Sequence, residues 1–542
     1  MKYKNANMIN DLLSKDPVWI VFLFLVSVAA MIMVPLVGIP DGGDVSQHLQ
    51  FAFTYHDAIA NGDLFPGWGA NENHGFGSIG IRFYPPVAYY LLTFGRFLTG
   101  SWYDAAWINF IFWMFAGSVG IYFWAREWLT PAYSALAGAL FTVVPYHLMQ
   151  IYQVMLFAEF AGTSVLPFCF LFATRVCRDS KPRDILLLGV SFALLILTHI
   201  PTTLIGSVGL FAYCLLLIRK EDFLKTLARL GASVTISILL AGFHWIKLAT
   251  EIGWLAHNSP KYTKGYYDFS VYLFPLYFNA GEKYIQRNLW LLDIAIIFTI
   301  LMIVPVLISY FLSPKGGKQR KTFFALSGTS LLAIFLLSFL SKFAWTFIPT
   351  LQKIQFPWRW LSLLSIFAVV SFAAGLHFLL GHYGNFKVII RYAALILVFL
   401  IVLFGVTQSI ILSDPIERTT FESNIVKWQD DVGCQCWWTI WGKPAALDQR
   451  LKAAAEGREI EISKWGQESR NFIVGPGKPT DIRVATFFYP FWKARVNGTG
   501  VKVENGKNGE IIIPVGSDRS VVELTFEEPV KVRIAGITSL IS

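Results

Sequence analysis

Apolar runs of about twenty residues recur along this chain from Val18 onward, separated by short polar or basic connections. Each is long enough to cross roughly 30 Å of hydrocarbon. Segments near 18–37, 105–125, 131–145, 158–176, 184–199, 202–218, 230–249, 289–312, 323–341, 357–380 and 391–412 read as membrane spans, about eleven in all. No small-residue cleavage site follows the first, and many like it come after, so it is expected to be retained. Between Asp41 and Pro86 the pattern breaks into DGGDVSQHLQFAFTYHDAIANGDLFPGWGANENHGFGSIGIRFYPP, rich in acids, histidines, turn residues and aromatics. A mere connection would need only a few polar residues. Inside it, Val45, Leu49, Ala52, Phe53, Ile59 and Ala60 oppose Ser46, Gln47, Gln50, Thr54, Asp57 and Asn61. That spacing predicts an amphipathic helix lying in the membrane interface. Pro85 to Thr99 is apolar, but as a full span it would place Arg126 and Arg175–Arg183 outside; it is expected to be re-entrant or juxtamembrane.

After residue 412 the periodicity changes. Asp481–Thr486, Gly509–Pro514 and Ser520–Phe526 alternate, and NG, GKNG and VGSD turns separate the alternating stretches. Antiparallel strands in a small sandwich follow from this. Asn497-Gly498-Thr499 is formally a glycosylation sequon, but its place between strands favours a hairpin turn. The expected division is 1–412 in the membrane, with an external loop at 38–104, and 413–542 as an extracytoplasmic β-rich domain.

The chain is 55% hydrophobic and 15% charged, which excludes an ordinary soluble enzyme and a disordered tail. Its formal charge of +10 comes from Lys2–Lys15, Arg126, Arg175–Arg183, Arg219–Arg229, Lys315–Lys321 and Lys387–Arg391. Alternating with the spans, these clusters act as a topology signal and not as a nucleic-acid surface. They put the N-terminus in the cytoplasm, the C-terminus outside, and the chain as a multi-pass protein in the cytoplasmic membrane. Cys169, Cys177 and Cys214 fall in spans and act as small buried hydrophobes. A disulfide between Cys434 and Cys436 would be strained, and without nearby histidines the pair is a poor metal site. GFGSIG at 75–80 precedes Arg82-Phe83-Tyr84-Pro85-Pro86 and not a phosphate-cradling helix.

The external loop carries the candidate chemistry. Asp44 heads the 45–60 helix with Gln47 three residues on, an N-cap pattern; His48 follows one turn later on the same side. A carboxylate partly shielded at the bilayer surface could equally act as a general base on an acceptor hydroxyl. Asp44 with His48, PGW at 66–68, N-x-N-x-G-x-G at Asn71–Gly77 and FYPP at 83–86 are joined by Pro145-Tyr146-His147, Glu159, Gln355-Phe356-Pro357-Trp358-Arg359 and Phe488-Tyr489-Pro490-x-Trp492-Lys493. Together these resemble bacterial membrane glycosyltransferases of the type C (GT-C) fold, and more distantly the lipid A aminoarabinose transferase and the protein mannosyltransferases.

The resemblance implies a GT-C-like helical membrane domain and a polyprenyl-phosphate sugar donor. It also implies inversion at the anomeric carbon, an essential acid at Asp44 and a second acid at Glu159. DGGD is not an Asp-x-Asp, so metal dependence is not supported and no cofactor is expected. Arg359 suits a phosphate bidentately, though an arginine among tryptophans also snorkels to the interface. Arg82 and Lys353 are further phosphate candidates; His48, Tyr84, His147, Lys261 and Lys264 are candidates for substrate contact. Partners would be membrane lipid, the lipid-linked sugar, and a glycan, lipid or protein acceptor, with no nucleic acid. The rival readings are a lipid-linked glycan flippase, which needs ionisable groups at mid-membrane, and a non-catalytic scaffold of the same fold.

Overall fold

A computed structural model describes residues 15–178, 181–259, 268–276, 290–411 and 413–542. Among them, ten helices are long and apolar enough to cross a membrane: Asp16–Val37, Trp102–Ala125, Pro131–Tyr152, Phe157–Arg178, Ile200–Leu217, Lys220–Leu240, Trp290–Leu312, Gln319–Leu337, Pro357–His382 and Lys387–Ile410. The segment expected at 184–199 is a shorter helix, Pro182–Ile196. Arg178, Leu217, Lys321 and Phe378 nevertheless line one cavity. The last residues of Phe157–Arg178 and Ile200–Leu217 therefore lie on one side, and Pro182–Ile196 between them is the return stroke. At 15 residues it is about 22 Å long, shorter than any of the ten. Val87–Thr99 is a 13-residue helix, about 20 Å long at 1.5 Å per residue and too short to span.

The chain divides into two compact units: Met1–Asp44 with Thr99–Ile238 and Asp268–Arg418, and Val45–Leu98 with Leu239–Tyr267 and Thr419–Ser542. A single cut at 412 does not reproduce this, because most of the external loop belongs with the C-terminal strands. In the first unit Pro357–His382 is the central helix, 89% buried, whereas Lys387–Ile410 is 11% buried and peripheral. Small residues let these helices touch. A Cβ on Gly375 would meet the Pro305 carbonyl carbon at 2.3 Å, and one on Gly117 the Ser164 Cα at 3.0 Å. Such contacts replace the hydrophobic drive that helices lack in lipid.

The second unit holds two antiparallel sheets. One runs Ala453–Ala454, Thr480–Phe487, Glu510–Val515, Glu504–Asn505; the other runs Ile460–Trp465, Ser469–Val474, Ser520–Phe526, Trp492–Val496, Thr499–Val501. Alternate residues such as Val522, Leu524 and Phe526 enter a core completed by Trp68, Phe76, Ile79 and Phe83 of the loop. Val496 pairs with Thr499, leaving Asn497 and Gly498 at φ 51° and 78°, a type I′ hairpin turn as expected.

The Val45–Ala60 helix forms with the anticipated bounds. Part of its polar face is buried: Gln50 donates to the Trp428 and Asp431 carbonyls, and Thr54 to Glu72. Residues 145–152 form a helix. Cys434 and Cys436 are joined as a disulfide, with Cα atoms 5.1 Å apart.

Candidate functional site

In the first unit the candidates converge on a buried carboxylate. Glu159 begins the Phe157–Arg178 helix and is 2% exposed. Its Oε1 accepts from Tyr146 Oη at 2.6 Å, Ser362 Oγ at 3.0 Å and Gln150 Nε2 at 3.1 Å. Its Oε2 stands 3.0 Å from Arg359 Nε. His147 joins through Gln150: its Nδ1 donates to Gln150 Oε1 at 2.9 Å, and its ring packs between Phe141 and Phe160. With three donors on Oε1 and the Arg359 guanidinium beside Oε2, Glu159 is suited to orient other groups. Glu159 and Arg359 stand at the starts of their spans, not at mid-membrane, where a flippase would need them.

Arg359 is fixed on three further sides. Its Nη1 donates to the Ile354 carbonyl at 3.0 Å and to Gln355 Oε1 at 2.8 Å, and the guanidinium lies 5.3 Å from the Phe356 ring centre. Pro357 bends the chain into the short Pro357–Trp360 turn that presents it. Its Nη2 has no partner among the described residues. Lys353, one turn earlier, is exposed and unpaired among them.

The DGGD turn belongs to the same unit. Ile39–Pro40 pairs with Pro415–Ile416, and Asp41 N donates to the Asp414 carbonyl at 2.7 Å. Gly42 lies on the turn before the Glu159 helix, where a Cβ would sit 2.1 Å from the Val154 carbonyl carbon. Gly43 takes φ 88°, a region open to glycine. Asp44 follows, exposed, with no hydrogen bond or ion pair to a described residue. The N-cap bond that its position suggested is not made, so its carboxylate is available.

Other candidates lie in the second unit. His48 is buried, 2.7 Å from the Tyr89 hydroxyl and beside half-buried Tyr84, Phe51 and Trp437. Arg82 is fully buried and is no free phosphate ligand, because all five N–H groups are spent. Nε and Nη2 donate to Glu251 Oε2 at 3.0 and 2.8 Å, Nη2 also to Glu528 Oε2 at 3.0 Å, and Nη1 to Glu528 Oε1 at 2.6 Å and the Gly67 carbonyl at 3.3 Å. Lys261 and Lys264 lie outside the described residues. Among the described residues no three His, Cys, Asp or Glu gather as metal ligands.

The N-x-N-x-G-x-G stretch is architectural. Asn73, His74, Gly75 and Gly77 all take positive φ. Asn73 Oδ1 accepts from Gly433 N and Trp438 Nε1, stapling the loop to the C-terminal segment. Glu72 beside it is buried, which pushes its carboxyl up to about 7 from an ordinary 4.5. Between those values the folded state keeps a proton that the unfolded chain has lost, so stability falls as pH rises through that window. Glu72→Gln is therefore expected to raise the thermal midpoint more at pH 8 than at pH 5. Burial raises Glu468 of the same unit alike, so part of the pH slope remains.

Residues 81–413 match the model of a family described as the 6-pyruvoyl-tetrahydropterin synthase related domain, a membrane protein. The match takes in more than half of the 542 residues. The chain belongs to this family. The membrane part of this PTPS-related protein accounts for nearly all of the matched stretch. No curated protein matches the chain. Among solved structures it is similar to the Archaeoglobus fulgidus oligosaccharyltransferase in the apo form, at 12% identity and TM-score 0.45, covering 78% of this chain and 60% of that one. It is also similar to ArnT from Cupriavidus metallidurans bound to undecaprenyl phosphate, at 11% identity and TM-score 0.42, covering 78% and 74%. The chain thus spans about 60% of the archaeal enzyme's length.

Gln150 and Ser362 were not singled out from the sequence. An amide inside the apolar run PYHLMQIY is the signal that points to Gln150. Ser362 leaves no such mark.

Proposed function

We propose that this PTPS-related protein is a membrane glycosyltransferase. It moves a sugar from a polyprenyl-phosphate carrier to an acceptor hydroxyl at the outer face of the cytoplasmic membrane. The observation that carries this reading is the Glu159–Arg359 pair: a buried carboxylate, the Ile354 carbonyl and the Gln355 side chain aim a guanidinium whose Nη2 has no partner among the described residues. Such an arrangement suits a phosphate whose charge grows in the transition state. The motif resemblance to GT-C transferases supports the same chemistry. The basic connections, by the positive-inside rule, turn the opposite ends of the spans to the cytoplasm.

In the step itself the acceptor oxygen attacks the anomeric carbon from the face opposite the phosphate. Its proton passes to the Asp44 carboxylate. The bond from the anomeric carbon to the phosphate oxygen breaks, and its electron pair stays on the released polyprenyl phosphate beside Arg359 and Lys353. Configuration inverts. Glu159 acts through Arg359 as a positioning residue, with Tyr146, Gln150 and His147 holding it in turn.

Two outcomes test the donor half of the site. Arg359→Gln is expected to weaken polyprenyl-phosphate binding by about 10–100-fold, the worth of a hydrogen bond to a charged group; unchanged binding in a lipid-overlay titration contradicts the assignment. Glu159→Gln is expected to raise KM for the donor more than it lowers kcat, because it loosens the guanidinium without touching Asp44. A fall in kcat at unchanged KM would instead make Glu159 a catalytic group.

A further inference from the structure

Five spans end around a cavity of about 400 Å³ in the first unit. Arg178, Arg219 and Lys321 supply its polar wall, and Leu217, Phe323 and Phe378 are among its apolar lining. No carboxylate of a described residue lines it. Of the nearby acids, Glu127 is largely spent: its Oε1 pairs with Arg175 at 2.8 Å, while Oε2 stands 3.5 Å from Arg178; Glu221 acts on Lys321 through its charge. Lys321 uses one N–H on the Ile218 carbonyl at 2.9 Å. Arg219 is exposed and has no hydrogen bond or ion pair to a described residue. Nothing in the proposed transfer uses this place, which lies at the opposite ends of the spans from Glu159 and Arg359.

We infer that this cavity binds the phosphate headgroup of an anionic membrane lipid. Three cations converge at the span ends, where headgroups lie, and Glu127, which is shared with Arg175, and Glu221 do not balance all of them. Its apolar wall, with Leu217, Phe323 and Phe378 all buried, offers the first carbons of a chain a surface that a free ion would not use. Basic pockets between span ends take acidic headgroups in this way. The charge on Arg219 and Lys321 holds the phosphate, and the aromatic and aliphatic wall makes the site selective for an amphiphile.

The test uses the full-length protein in mild detergent, titrated with phosphatidylglycerol, phosphatidylcholine or inorganic phosphate and read by native mass spectrometry. Phosphatidylglycerol adducts are expected to dominate. Arg219→Gln/Lys321→Gln should weaken them about 30-fold, roughly five-fold per charge removed. Arg219→Lys/Lys321→Arg keeps the charge and should restore binding, which separates loss of the site from loss of folding. Arg391→Gln, a basic residue outside the cavity, should leave the adducts unchanged. Equal binding of the two lipids, or undiminished binding in the Gln pair, would overturn the inference. Displacement of the lipid by millimolar inorganic phosphate would overturn the lipid assignment in favour of a free-anion site.

Discussion

Arg82→Ala is expected to unfold most of the second unit. The guanidinium at that position is fully buried, donates all five hydrogens, and lies 5.2–5.6 Å from the ring centres of Tyr489, Phe491 and Phe526. Its removal leaves Glu251 with no side-chain exposure and no bound cation, while Lys247 remains 3.5 Å from Glu528. Breaking a buried pair from one side costs about 3–5 kcal/mol, because the surviving charge stays desolvated. That is a large part of the roughly 5–15 kcal/mol that holds a domain together. Limited proteolysis of the full chain should show early cuts in 419–542. Replacing Arg82 and Glu251 together by methionine should cost less than Arg82→Ala alone, since no orphan charge remains. A thermal midpoint unchanged in Arg82→Ala would refute this account of the unit.

The same residue shows where the sequence stops being legible. The apolar periods gave the spans, and the alternation gave Ser520–Phe526 to the residue. Those patterns are local: a span or a strand is specified within its own stretch. Arg82 looked like a phosphate ligand because its partners stand 169 and 446 residues away, and nothing near it announces them. Gln50 and Thr54 made a convincing polar helix face for the same reason. Only the folded unit shows that backbone carbonyls near 428–431 and Glu72 satisfy them. The Glu159–Arg359 pair was half visible: each residue stood out as a charge at a span end, but their contact did not. The paired glycines of DGGD did carry a readable signal, since Gly42 touches backbone and Gly43 takes positive φ.

Asp44→Asn is expected to abolish most of the activity while leaving the fold intact. The side chain is exposed and bonds to no described residue, so a neutral isostere removes nothing that holds the DGGD turn. That turn is kept by Gly42 against Val154, by Asp41 N on the Asp414 carbonyl, and by the Ile39–Pro40 pairing. What the substitution removes is a proton acceptor. General-base catalysis contributes about 10²–10⁴-fold, and an amide cannot replace it. Donor binding rests on Arg359 and Lys353 and should persist. A silent Asp44 would leave only a scaffold with the same fold.

The decisive measurement is the single-turnover rate of sugar transfer from a polyprenyl-phosphate sugar, with wild type and Asp44→Asn reconstituted side by side in lipid vesicles. The account predicts transfer by the wild type, a rate about 10²–10⁴-fold lower in Asp44→Asn, and equal donor binding by both. Equal rates in the two proteins would contradict it.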